Sequence, residues 1–224
     1  LVATTVIEVG VDVPEATIWL DVDATLRRKS AGRRSLDDLA RSFFRRPGPD
    51  QTSTYSFADL CRALNRIAPA DWATFLQHKL HSHDDSGLLD GLTKNGYALA
   101  FTDTPTAYFR QSEQDNGVTD LSFSIGLPAD AKGNVRSLAW EGPAFRAGVS
   151  IGTHIADVNG KPFSPASLKA AVANSVRQPI RLAVDVEGVP STIVLAYHGP
   201  LRYPHLTRLP GPADGLAAVL KSAR

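Results

Sequence analysis

Hydrophobic and polar positions change their rhythm about halfway along the chain of 224 residues. In the first half, apolar side chains recur every three or four positions. Leu36, Leu39, Ala40, Phe43 and Phe44 form one stripe, behind Ser35 as a cap and with Asp38 three residues on. Phe57, Leu60, Cys61, Leu64 and Ile67 form a second, behind Ser56 and Asp59, and Pro69 ends it. Trp72, Phe75, Leu76 and Leu80 form a third, starting at Asp71. These spacings predict three packing helices that carry no evident chemistry. Residues 1–9 are instead rich in β-branched side chains, which predicts a buried strand broken by Gly10 and Pro14.

From about residue 118 the pattern turns to short alternating runs: LSFSIGL, NVRSLAW, THIADVNG, IRLAVDVEG and STIVLAY. Turn residues separate them, and one helical pattern, SPASLKAAVANS, interrupts them. Five short strands and a helix predict a β-rich module of roughly 80 residues. Ahead of it, GYALAF has strand character and the polar stretch that follows suits a linker. Asp21 and Asp23 lie two apart in an apolar run, which reads as a strand end or a helix cap and not as a catalytic pair.

Charge and composition narrow the chemistry. With 24 Lys+Arg against 23 Asp+Glu, the net charge of +1 leaves no footprint for nucleic acid. The run RRKSAGRR reads as a solvated helix end and loop. No apolar run approaches the roughly 18 residues of a membrane span. Cys61 is the only cysteine, so an internal disulfide or thiolate metal cluster is impossible, and its apolar setting suits a small core residue. The chain has no methionine and opens in mid-strand pattern, so a fragment is expected. Compartment stays open, because any leader would precede Leu1. The six histidines include no His-Glu pair. His78, His81 and His83 are spaced three then two across an expected helix end, which suits a surface cluster and not a metal site. Neither a GxSxG elbow nor a GxxxxGK[ST] loop occurs. The chain is therefore expected to contain no catalytic residue, no metal ligand and no cofactor.

The segment GPAFRAGVSIGTHIADVNGKPF resembles the core of a PDZ domain. In that family a short helix ends in Ala-Gly (here Ala147-Gly148), a tight turn holds another Gly (Gly152), and a strand leads to an Asn-Gly turn (Asn159-Gly160). The resemblance implies a peptide-binding groove. Its carboxylate-receiving loop would be Ser124, Ile125, Gly126 and Leu127, whose backbone N–H groups form an anion nest. The strand that follows would offer its edge, and Leu168 and Val172 of the helical pattern would line the pocket. Ala166 or Ser167 stands where one peptide-binding class has histidine. The same fold is also compatible with packing on a neighbouring domain and binding no free peptide.

A wider resemblance covers roughly residues 18–210. SLDDLARSFF, DWATFL, LDGLTKNGYALAFTDTP, LSFSIGL and YHGPLRYPHL occur in the order found in the C-terminal part of glycyl-aminopeptidase zinc metallopeptidases, metallopeptidase family sixty-one. It implies an α+β fold: the helical C-terminal portion of a thermolysin-like catalytic domain, followed by a PDZ-like β-barrel or sandwich with two helices. The implied zinc belongs to the full-length parent, since the HExxH helix is absent from this chain. A third resemblance, of residues 1–17 (ATTVIEVGVDVP) to a strand and loop of RecG-like DNA helicases, stops abruptly. No QxxGRxGR stretch follows, so the segment reads as a junction near 16–18 from a chimeric or misassembled start.

The expected divisions are therefore 1–17, a helicase-like segment; 18–115, the end of the catalytic domain; 116–199, the PDZ domain; and 200–224, a tail. The expected function is that of a C-terminal fragment of a zinc aminopeptidase, inactive alone. Its PDZ module would take a peptide or protein C-terminus, or pack on the missing catalytic domain. The alternatives are a stand-alone PDZ binding module and, distantly, a helicase fragment.

Overall fold

Helices dominate the first hundred residues of the computed structural model, which describes residues 14–43, 54–81, 85–186 and 188–221. Helix α1 (Pro14–Lys29) runs through the first unit and was not legible as an amphipathic stripe. Ile18, Val22 and Leu26 face one apolar cluster with Leu39, Leu64 and Trp72, while Leu20 on the other side meets Leu92 and Leu216. A helix buried on two sides shows no single apolar stripe.

Asp21 and Asp23 sit inside α1, which corrects their reading as a strand end. Asp21, 1% exposed, accepts from Lys79 Nζ at 2.8 Å and from Lys94 Nζ at 2.6 Å. Asp23 accepts from Arg27 Nε at 2.6 Å and from the Leu36 N–H at 2.7 Å. It thereby caps the next helix, α2 (Leu36–Phe43), from outside. Phe44, the last member of that expected stripe, lies outside the described residues, as does His83.

Helices α3 (Phe57–Ile67) and α4 (Trp72–His81) fall where their stripes and caps predict. Ser56 and Asp59 form a reciprocal capping box, and Cys61 is buried in the core. Helix α5 (Asp85–Lys94) was not expected. It closes on α1 through Gly91, where a Cβ would run into the Thr17 carbonyl and lie 2.9 Å from the Asp21 amide.

Strand β1 (Tyr97–Thr102) pairs with β8 (Tyr203–Arg208), and the division of the chain into two units falls across both strands. One unit takes residues 1–99 and 206–224, including a last helix, α9 (Gly215–Leu220). The other takes residues 100–205.

The second unit opens with α6 (Ala107–Asn116), where a linker was expected. Thr106 Oγ1 caps it by accepting from the Phe109 N–H, and Gly117 ends it. None of its side chains is fully buried, so no apolar stripe announced it. LSFSIGL is not one strand: β2 (Val118–Leu121) and β3 (Leu127–Asp130) form an antiparallel pair around a tight turn. NVRSLAW contributes only the isolated bridges Ala129–Val135 and Asn134–His154. Helix α7 (Pro143–Arg146) then leads to β4 (His154–Val158) and β5 (Lys161–Pro162). Asn159 and Gly160, both at positive φ, form the two-residue turn between β4 and β5. Helix α8 (Pro165–Ala173) and strands β6 (Ile180–Val186) and β7 (Val189–Leu195) complete a sheet of order β5-β4-β6-β7. The fold is α+β, and no sheet of the described residues closes into a barrel.

The strand predicted over residues 1–9, and most of the helicase-like segment, lie outside the described residues. Residues 14–17 are the first turn of α1 and not part of a strand and loop.

Candidate peptide-binding groove

The six residues expected to line a groove converge in the second unit. Ile125, Leu127, Leu168 and Val172 are fully buried in one apolar cluster with Leu121, Ile155 and Leu182. Leu168 and Val172 are four apart on α8, so both face inward. A capping box between Ser164 and Ser167 starts that helix. Ser167 therefore closes the helix end and carries no free hydroxyl role: its Oγ accepts from the Ser164 N–H and donates to backbone carbonyls.

The loop from Ser124 to Gly126 is held on every side. Ser124 Oγ accepts from the Arg202 N–H at 3.0 Å. Ile125 and Gly126 give their carbonyls to the Ala144 and Ala139 N–H groups at 2.9 and 2.8 Å. Gly126 has φ +83, and a Cβ there would lie 3.3 Å from Gly142 Cα, so glycine meets both a conformational and a steric need. The Phe123 ring lies 5.7 Å from Phe101, and the Arg202 guanidinium stacks 4.3 Å above Phe101.

The loop amides converge as an anion nest requires, and the chain itself occupies them. The N–H groups of Ser124, Ile125 and Gly126 all donate to the Leu121 carbonyl, at 3.0, 3.0 and 3.1 Å. The edge of β3 is taken as well: Val118, Thr119, Asp120 and Leu121 pair with Asp130, Ala129, Pro128 and Leu127. The opposite edge of β3 bonds to residues 134–136, with the Asp130 N–H donating to Asn134 and the Arg136 N–H donating to Pro128. An edge open to an incoming strand was expected; β3 has none. Sequence reasoning missed Val118–Leu121 because residues 118–120 read as the end of a polar linker and LSFSIGL as one continuous strand. Ser122 and Ser124, both turn formers, were the signal that it bends.

Two acidic residues frame the arrangement. Glu113 of α6 accepts from the Asp120 N–H at 2.8 Å through Oε1 and from Lys169 Nζ of α8 at 3.0 Å through Oε2. It thus joins β2 to the helix expected as the groove wall. Beside this clamp lies an open cleft of about 420 Å³, lined in part by Arg110, Val118, Thr119, Pro165 and Lys169. At the far end of β3, Asp130 accepts from the Lys132 and Asn134 N–H groups, from Asn134 Nδ2 and from Arg136 Nη2, all within 2.9 Å. Burial pushes its carboxyl up, but the Asn134 and Lys132 hydrogen bonds and the Arg136 charge win and hold its pKa at about 2. Tyr203 moves the other way, pushed up to about 12 by burial and the nearby Glu113 and Asp120 charges.

Among the described residues no three His, Cys, Asp or Glu side chains gather as a metal site. His198 Nδ1 lies 3.3 Å from the Ser175 carbonyl and His205 Nε2 lies 2.7 Å from the Thr104 carbonyl. No described helix is long and apolar enough to cross a membrane.

No family model and no curated protein matches the sequence. Among solved structures, the fold is similar to an aminopeptidase N family protein from Idiomarina loihiensis, with a TM-score of 0.60 and 15% identity over 91% of this chain. The match covers 35% of that protein's length. The PDZ domain of HtrA3, solved with a phage-derived ligand (FGRWV), also matches 51% of this chain and 93% of its own at 19% identity. Its TM-score is 0.27.

Proposed function

We propose that this chain is the C-terminal part of a zinc-dependent aminopeptidase of the glycyl-aminopeptidase type, and that it is catalytically inert by itself. The observation that carries this reading is the fold similarity to an aminopeptidase N family protein over nine-tenths of the chain. The motif order SLDDLARSFF, FTDTP and LRYPHL supports the finer family. On this reading the first unit is the helical end of the catalytic domain, and the zinc and its general base come from elsewhere in the parent protein. The second unit is a PDZ-type module. With β2 in place it packs within the parent, its β3 edge and loop amides being engaged by the chain's own residues.

Two measurements test this. The coding sequence upstream of Leu1 is expected to encode an HExxH within a few hundred residues; its absence overturns the peptidase assignment. Metal analysis and hydrolysis of glycyl- and alanyl-anilides by the chain alone are expected to give neither stoichiometric zinc nor turnover. Zinc with turnover would sink the claim of inertness.

A further inference from the structure

We infer that Val118–Leu121 is a tethered occupant of the module's groove, bound as an outside peptide ending in an apolar residue would bind; this rests on the PDZ-type reading above. Three independent contacts carry it. The strand β2 runs antiparallel along β3 and fills the edge that β-strand addition needs. Its last residue, Leu121, is 1% exposed in the same cluster as Leu168 and Val172. Its carbonyl takes the three loop N–H groups that would otherwise receive a terminal carboxylate. Glu113 holds the strand down from outside, through the Asp120 N–H and Lys169.

The groove is therefore closed by a competitor that stays tethered beside it. A short tether gives an effective concentration on the order of millimolar, so an occupant whose own dissociation constant is about ten micromolar weakens an outside peptide about a hundredfold. The occupant has a chemical weakness, because it offers the nest a neutral amide carbonyl. A free carboxylate makes shorter, charge-assisted hydrogen bonds of about twice the strength. The ligand class that displaces β2 is thus an extended peptide with a free C-terminal carboxylate on a leucine-like residue.

The test uses the full chain and a fluorescein-labelled peptide of this protein's own residues 116–121, Asn-Gly-Val-Thr-Asp-Leu, with a free C-terminus. Thr119→Pro removes an amide on the side of β2 that faces β3, since the Asp120 amide points to Glu113. Glu113→Ala cuts the outer clamp and leaves the ladder alone. Intact protein is expected to bind the peptide at least tenfold more weakly than either variant. The C-terminally amidated peptide is expected to lose at least tenfold on the opened variants. Circular dichroism identifies a variant that does not fold; if Thr119→Pro fails, Glu113→Ala decides. Equal affinity of intact protein and folded variants overturns the inference, as does an opened variant that binds nothing or ignores amidation. None of these outcomes bears on zinc or hydrolysis, so the peptidase reading stands or falls separately.

Discussion

The two units hold their chains by different means, and aspartates show the difference most clearly. In the first unit Asp21 and Asp23 lie within a helix, and Asp21 meets ammonium groups from two other helices. In the second, Asp130 gathers backbone and side-chain groups of Lys132, Asn134 and Arg136, all within the six residues that follow it. One device ties distant elements together, and the other fixes a turn. Helices satisfy their own backbone, so what fixes their mutual placement is side chains. Short strands leave backbone groups to place, and turns, glycines and carboxylates place them.

The largest expected effect breaks the first device. Asp21→Asn takes from Lys79, with only 4% of its side chain exposed, the carboxylate charge 2.8 Å from its ammonium. Burial works against the Lys79 ammonium, and the Asp21 and Asp90 carboxylates override it and raise its pKa above the ordinary value. Removing one partner of a buried pair costs roughly 3–5 kcal/mol. Urea unfolding is expected to show that loss, with amide exchange accelerating over α1 and α5 and unchanged over β4 and β6. Equal acceleration in both units would refute the separation drawn between them.

The second device is expected to respond to acid. The folded pKa of Asp130, about 2, lies below the ordinary carboxylate value of 3.8. A depressed pKa stabilises the fold above the unfolded value and ceases to do so as pH falls toward the folded one. The stability contributed is about 2 kcal/mol, fully present above about pH 5 and lost progressively between about pH 5 and pH 1. Comparing the chain with Asp130→Asn by thermal melts checks this: the gap is expected near neutrality and should vanish by about pH 1. A gap that persists there would mean the carboxylate charge is not what holds the turn.

What the sequence made legible follows the same contrast. Stripes on one face, as at Phe57–Ile67, predicted α3 and its cap, and glycine and Asn-Gly positions predicted the turns around α7 and β4. Helix α1 was not legible because it buries apolar residues on two sides. Helix α6 was not, because it buries none of its side chains. At the candidate groove the apolar positions Ile125, Leu127, Leu168 and Val172 were legible as buried, and the strand paired beside them was not. Pairing of Val118–Leu121 onto Leu127–Asp130 is a tertiary fact: nothing local in VTDL distinguishes a strand that opens a groove from one that fills it.

The smallest effect tests whether local caps matter where ion pairs already hold the helices. Ser56 Oγ accepts from the Asp59 N–H at 3.2 Å, while Asp59 accepts from the Ser56 N–H at 2.9 Å and pairs with Arg62. The Ser56 hydrogen bonds come first among the causes that hold the Asp59 pKa at about 2. Ser56→Ala removes the hydroxyl but keeps the Ser56 backbone N–H, so half of the box survives. A lost cap of this kind costs roughly 1 kcal/mol. Denaturant midpoints are expected to fall by that amount, and the Asp59 titration, followed by NMR, is expected to move upward toward 3.8. A loss approaching that of Asp21→Asn would show that α3 depends on its own start more than on the cluster around Leu64 and Trp72. The first unit would then be held locally, as the second is, and the contrast would collapse.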